Sequence, residues 1–471
     1  MKKTKIVASL GPQSKEYKCI YEMALSGVDV FRINLSHANF SESDELIEKI
    51  KKAEKELNKV IGIMLDLDGP SIRLDNLIEK EVYLKKDKEV RFYNYHVVCN
   101  NTQLSTNTNN LVELVNIGSI LKFSNEVVLE VTDIYEDNFI AKVIDEGIIK
   151  SNQTVFIKDA YKKLPFISEK DKKNILYAIK TNADFLALSY VRDEQDILSV
   201  VDILIEHNNE HMSIISKIEN EMAFENLEEI LKVSDGLMVA RGDLGLNIPL
   251  EKLPYYQKEI LKMANNYQKI GLVATDLLKS MIQENQPSRA EVADIYNAVL
   301  DRCDGLVLCD ETTIGNNPVL ITSYLEKIIE EAEANFPYKE NLDNTFKLGK
   351  QDITSTIAYS VVDSGLLLNA NCILANTMSG YTARKISYFR PKSPVLGLSP
   401  NKNTIRSLTL NYGIIPVLVK KFKNTDDIIK GCIDKYKEIV DYNQGDVVVI
   451  TGGLPLNNKN TDFMKIEKIV D

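Results

Sequence analysis

MSIISKIE, residues 212–219, is a β-branched run that closes on two opposite charges. Ile214, Ile215 and Ile218 suit a strand in a buried sheet, whereas Lys217 and Glu219, two residues apart, share one face of it. The same design, apolar along its length and polar at its C-terminal end, recurs along the chain. KIVASLG (5–11), VDVFRINLS (28–36), VIGIMLDL (60–67) and ADFLALSYV (183–191) precede it; GLMVARGD (236–243), IGLVATDLL (270–278) and DGLVLCDE (304–311) follow. Apart from the interval before residue 183, successive runs start about 25–35 residues apart, the size of one strand–helix unit. Eight such units are what a (β/α)8 TIM barrel requires. A doubly wound sheet is the competing arrangement, but no GxGxxG fingerprint follows the first strand.

With 471 residues the chain exceeds one ordinary core, and its pattern changes twice. Residues 1–73 and 161–340 carry the barrel runs. Residues 74–160 read as short alternating strands, among them EVYLKK and ILKFSNEVVLEVTDIY, and form an inserted lid, a small β-barrel. From 341 to 471 an amphipathic helix precedes the strands NCILANT, SPVLGLS, IPVLVK and DVVVITG, the pattern of a C-terminal α/β domain. A net charge of −11 argues against nucleic acid or an anionic membrane as partner. No run approaches the roughly 18 apolar residues of a membrane span. The start lacks a signal-peptide apolar region, and six scattered cysteines with four histidines make neither a disulfide nor a zinc frame. A cytoplasmic protein is expected.

The polar residues collect at strand ends. FRINLS alternates, with Arg32, Asn34 and Ser36 on one face; IMLDLDG places Asp66 and Asp68 together; Thr275 and Glu311 end later runs. One charged strand end is ordinarily a solvated terminus. Six at once, in a barrel, make the rim where barrel active sites lie. Glu219 and Asp243 are hard oxygen ligands suited to Mg2+ or Mn2+, with a salt bridge between Glu219 and Lys217 as the plainer alternative. Arg32 is a fork donor for phosphate or carboxylate, and Lys217 would neutralise a phosphoryl group in transfer. Gly242 and Asp243 open a turn whose N–H groups suit a substrate carboxylate. Asn34, Ser36 and Asp66 offer oxygens to a monovalent cation. These residues point to a metal-dependent barrel enzyme acting on a small phosphorylated acid.

KTKIVASLGP, FRINLSHA, LDLDGPSIR, LPFISEKD, SKIEN, GLMVARGDLGLNIP, ATDLLKSM, PSRAEVADIYNAVLD, TMSGYTARKISYFRPKSPVLGLSP and TGGLPL follow one another in that order. Through them the chain resembles the pyruvate kinase family nearly from end to end, least across the inserted domain. The resemblance implies phosphoryl transfer from phosphoenolpyruvate to ADP, giving pyruvate and ATP in the last step of glycolysis. It also implies Mg2+ (or Mn2+) and K+ as cofactors, and a homotetramer. Arg32 and Lys217 would then contact the phosphoryl group, and Glu219 and Asp243 the divalent ion. Gly242, Asp243 and Thr275 would hold the carboxylate, with Thr275 near the face where enolpyruvate is protonated. Asn34, Ser36, Asp66 and the Leu67 carbonyl would bind potassium, and Arg73 and His37 would lie on the nucleotide side. In the C-terminal domain Thr377, Ser379, Gly380 and Thr382 combine hydroxyls and a glycine ahead of a helix, which suits a phosphate. The family holds its effector's phosphate there. Tyr381 stands where an arginine is common, so a weak or differently shaped sugar-phosphate effector is expected.

The departures from the family cluster on the lid and nucleotide side. Asp68 replaces a basic residue, Ser71 the glutamate associated with K+ dependence, and Asp276 a glutamine. Cys309 and Asp310 replace serine and glycine, removing the proton-relay hydroxyl. Ser124-Asn125-Glu126 and Gln153-Thr154 replace the lid's Asp-Asp-Gly and Lys-Gly. Two alternatives therefore stay open: a catalytically impaired regulatory paralogue that binds a phosphorylated acid, and a metal-dependent lyase acting on a pyruvate enolate. Because Asp68 shares a strand face with Asp66 and Ser71 brings no positive charge, K+ activation is expected.

Overall fold

The computed structural model describes residues 1–36, 39–123, 127–158, 160–349, 352–453 and 461–470. Eight parallel strands close into a barrel: Lys5–Ser9, Val30–Asn34, Gly62–Asp66, Phe185–Leu188, Ser213–Ile218, Gly236–Ala240, Ile270–Ala274 and Gly305–Leu308. They are the eight runs singled out above, each trimmed near the point where its polar end begins. The first strand closes the ring by pairing with the last, Lys5 opposite Gly305, which excludes the open doubly wound sheet. Five-residue strands buried at every position, such as Gly62–Asp66 and Gly236–Ala240, are what a parallel barrel under helices demands. Val7, Met64, Phe185, Ile215, Met238, Leu272 and Val307 fill the interior, and a larger apolar layer lies between strands and helices. Side-chain caps set where the helices start. Ser168 and Asp171 form a capping box on Glu169–Thr181, as do Ser288 and Glu291 on Arg289–Leu300.

The inserted segment forms a mixed six-stranded sheet, half of a barrel, in the order Val155–Ile157, Ile120–Phe123, Val128–Ile134, Asn138–Asp145, Glu89–Tyr93, Gln103–Ser105. A two-stranded ribbon, Glu81–Leu84 with Gly147–Lys150, flanks it. The C-terminal domain is a five-stranded sheet, four strands parallel and Phe463–Lys468 antiparallel at one edge. Its contact with the barrel is close. Leu410 joins the barrel's interior cluster, and a Cβ on Gly62 would meet Thr409 Oγ1 at 2.7 Å, so a side chain at that barrel position would force Thr409 to shift. No helix among the described residues is long and apolar enough to cross a membrane.

Candidate active site

Parallel strands put all eight C-terminal ends on one rim, and a cavity of about 880 Å³ opens there. Ser9, Arg32, Asn34, Lys217, Glu219, Asp243, Thr275 and Cys309 line its inner part, while Lys15, Glu42, Glu45 and Lys49 line its outer part. Asp66, 1% exposed, is the anchor beneath. Its Oδ2 accepts from Arg32 Nε at 2.6 Å, and its Oδ1 lies 3.5 Å from Lys217 Nζ. Burial alone would raise the Asp66 pKa; Arg32 and Lys217 outweigh it and hold the carboxylate ionised. Burial likewise opposes the Lys217 charge, and Asp66 with Glu219 overrides it, so the ammonium persists far above neutral pH. Arg32 is also aimed by Ser9 Oγ at 2.7 Å, with Cys309 Sγ at 3.8 Å.

The Lys217–Glu219 salt bridge exists: Nζ lies 3.0 Å from Oε1. It leaves the carboxylate incompletely served. Glu219 Oε1 is buried and takes no hydrogen bond of acceptable geometry among the described residues. Burial, with the charge of Asp243 added, pushes the Glu219 pKa up to about 7, against the pull of Lys217. A fully buried carboxylate with an orphaned oxygen beside a second carboxylate fits a divalent cation. No group of three or more such ligands occurs among the described residues. Mg2+ and Mn2+ keep water and substrate oxygens in their coordination shell, so two protein carboxylates would be enough for either.

Asp243 lies one turn beyond its strand, in the short helix Arg241–Asn247, rather than at the strand end. Gly242 N–H donates to Thr275 Oγ1 at 2.7 Å, and the Thr275 hydroxyl donates to the Ala274 carbonyl at 2.6 Å. Thr275 is held at φ 72°, a left-handed conformation costly for a β-branched residue and tolerated where the surroundings impose it. Arg241 supplies that constraint, donating to the Thr275 carbonyl at 2.6 Å and pairing with Asp294. Glu311, placed on the rim by its sequence position, is spent on the backbone: it accepts from Leu277, Leu278 and Cys309 N–H. Burial pushes the Cys309 thiol up to about 11 despite Arg32, so it is neutral at physiological pH.

Asn34 Oδ1 accepts from Ser36 Oγ at 2.6 Å, Asn34 stands opposite Asp66 on the paired strands, and Ser189 Oγ lies 2.7 Å from the Leu67 carbonyl and 3.3 Å from Asp66 Oδ1, so the residues proposed for K+ adjoin on the rim. Asp68 does not join them. The strand ends at Asp66, and Asp68 instead pairs with Arg73 at 2.9 Å and Lys170 at 3.1 Å. Its charge is therefore compensated locally, which corrects the expectation that it adds to the field of Asp66. Lys170 Nζ also reaches the Ser36 carbonyl at 3.2 Å. Arg73, tied to Asp68 and the Asn152 carbonyl, is not among the residues lining the main cavity. His37 and Ser124-Asn125-Glu126 lie outside the described residues. Asp276 is exposed and pairs with Lys279.

Sequence reasoning missed Ser189 and Tyr190, which leave the fourth barrel strand. Ser189 Oγ takes a hydrogen bond from Lys217 Nζ at 2.8 Å, and Tyr190 touches both Glu219 and Asp243. Their place at a C-terminal strand end was the available signal. In the C-terminal domain Gly380, at φ 84°, caps the helix Tyr381–Tyr388. Thr382 Oγ1 meets Thr461 Oγ1 at 2.7 Å, and Arg384 Nη2 donates to the Ser379 carbonyl at 2.6 Å. Thr377 is buried. A basic residue thus does stand at this loop, one helical turn beyond Tyr381.

Fixed cations facing buried carboxylates, on the C-terminal rim of a parallel barrel, are the apparatus of a phosphotransferase. A family model described as "Pyruvate kinase, barrel domain" matches residues 1–321, and one described as "Pyruvate kinase, alpha/beta domain" matches residues 355–467. The chain belongs to the pyruvate kinase family. It is 37% identical to a pyruvate kinase of Staphylococcus epidermidis, 35% to one of Bacillus licheniformis and 34% to one of Sporosarcina psychrophila. Each alignment covers 100% of this chain and 81% of the relative.

Proposed function

We propose that the barrel rim transfers the phosphoryl group of phosphoenolpyruvate to ADP and then protonates enolpyruvate. The observation that carries the assignment is Lys217, a half-buried ammonium held between Asp66, Ser189 and Glu219 with the Arg32 guanidinium beside it. Two preorganised cations in a water-poor corner stabilise charge spread over a transferring phosphoryl group without reorganising during the reaction. Arg32 and Lys217 would bind and orient the phosphoryl oxygens. Gly242, once its N–H is released from Thr275 Oγ1, would hold the substrate carboxylate with Asp243 and Thr275, and Thr275 would also lie near the face where enolpyruvate is protonated. Glu219 and Asp243 would hold Mg2+ or Mn2+, which when bound would supply positive charge to phosphate and enolate oxygens. Asn34, Ser36, Asp66 and the Leu67 carbonyl would hold K+. The intact phosphate and metal corner makes an impaired paralogue the weaker reading.

Nucleotide would enter over the outer cavity, near Lys15 and Lys49. A cytoplasmic homotetramer with a sugar-phosphate effector at Thr377, Ser379, Gly380 and Thr382 completes the proposal. The test is pyruvate formation from phosphoenolpyruvate and ADP, coupled to lactate dehydrogenase, with Mg2+ and K+ present. ADP-dependent turnover is expected. Proton exchange into pyruvate C3 without any ADP-dependent turnover would instead indicate the lyase.

A further inference from the structure

Tyr190 stands at the junction of the two carboxylates. Its backbone N–H donates to Glu219 Oε2 at 2.6 Å, and its hydroxyl donates to Asp243 Oδ1 at 2.9 Å. One residue reaching both requires an abrupt turn after the strand Phe185–Leu188, and Tyr190 makes it with φ 56°. Gly69 leaves the room: a Cβ there would meet the Ser189 carbonyl at 2.5 Å. Tyr190 is itself buried, in a small cleft shared with Ser71, Thr154 and the return strand Val155–Ile157. The surroundings therefore hold both its strained backbone and its ring.

Each carboxylate keeps one oxygen that Tyr190 does not engage. Tyr190 occupies Glu219 Oε2 and Asp243 Oδ1. Glu219 Oε1 is buried and faces only the Lys217 ammonium, at 3.0 Å and without a hydrogen bond of acceptable geometry, and among the described residues no donor reaches Asp243 Oδ2. We infer that Tyr190 is a positioning residue that fixes Glu219 and Asp243 as one-oxygen ligands of the divalent cation. The inference rests on the metal assignment proposed above. One oxygen per carboxylate suits the small octahedral Mg2+, whereas Ca2+ accepts bidentate carboxylates and looser geometry. Hydrogen bonds that orient a ligand without touching the ion govern affinity on the scale of tenfold or more.

The test is direct Mn2+ binding, read from the free-ion electron paramagnetic resonance signal, on the whole chain without substrate. Tyr190→Phe keeps the ring and the backbone bond to Glu219 and removes only the hydroxyl. Its Mn2+ affinity is expected to fall about tenfold, with the thermal midpoint close to that of the parent. Competition by Ca2+ should become relatively stronger. In an Asp243→Asn background, Tyr190→Phe should weaken Mn2+ no further, because the hydroxyl acts through that carboxylate. Parent-like Mn2+ affinity in Tyr190→Phe beside a weakened Asp243→Asn overturns the inference alone, as does a full additional loss in the double variant. Parent-like affinity in Asp243→Asn overturns the metal assignment, and the inference with it.

Discussion

Lys217 is held in a charged state by Asp66 and Glu219, and its ammonium is already in place before substrate arrives. Its contribution should therefore appear where charge develops. Lys217→Met is expected to lower kcat by about 10²–10³-fold while changing KM for phosphoenolpyruvate little. A change confined to KM would make it a ground-state binding residue. The proposed K+ site has a neighbour that the linear sequence does not suggest. Lys170, bonded to both Asp68 and the Ser36 carbonyl, is the cation beside it. K+ is expected to activate turnover in tetramethylammonium buffer, and Lys170→Met to steepen that dependence. Asp68→Lys should cost activity by freeing Arg73, not relieve the need for K+. Equal turnover with and without K+ in the parent would refute the site.

At the scale of elements, the second barrel strand begins beside Asp29, which gathers Lys2, Lys5 and Lys59 and also accepts from Ile6 N–H. Burial alone would raise the Asp29 pKa, but the three lysines outweigh it and drive it far below the usual carboxylate range. A depressed native pKa stabilises above the unfolded value, near 4, and the gain is lost as pH falls through the native one. Asp29→Asn should thus cost about 3 kcal/mol at pH 7, since it leaves buried cations unpaired. The gap from the parent in urea unfolding should narrow below about pH 4. A gap independent of pH would assign the loss to packing. The helix Tyr381–Tyr388 offers the second test at this scale. Arg384 now serves the Ser379 carbonyl, and a bound phosphate would draw it away. Fructose 1,6-bisphosphate, ribose 5-phosphate and AMP should be screened by thermal shift. At least one is expected to raise the midpoint of the parent and not of Arg384→Ala; no shift from any of them counts against the loop.

For the whole molecule, the barrel and C-terminal domain are joined by buried charge as well as by Leu410. Arg406 donates to both oxygens of Asp184 at 2.9 and 2.8 Å and to the Ile61 carbonyl at 2.8 Å, and it pairs with Glu54. Arg390 binds Asp304 and the Arg302 and Cys303 carbonyls from the same domain. Removing Arg406 leaves Asp184, itself 8% exposed, without its cation. Arg406→Met is expected to destabilise the chain by about 3 kcal/mol, seen as a lower guanidinium midpoint. Loss of the domain contact before the barrel melts should split the transition. A single transition at the parent's midpoint would show that the apolar contact alone suffices.

The barrel was legible in the sequence because strands buried on both faces must be continuous apolar runs, and eight of them recur at the spacing of a strand and a helix. Lys217 and Glu219 were legible for a local reason as well: alternation places residues two apart on one face. Asp243, Arg32 and Asn34 followed from their place at or just beyond strand ends. Tertiary structure alone decided what each polar group does. Asp68, two residues from Asp66, turns to Arg73 and Lys170 because the strand stops between them and period two no longer applies. Glu311 is consumed by backbone N–H groups of a neighbouring loop and of its own. Tyr190 meets partners 29 and 53 residues away only because its backbone takes a left-handed turn. Periodicity encodes which face a residue occupies within an element. The direction of the chain after the element ends, and the distant group it then meets, are set by closure of the barrel.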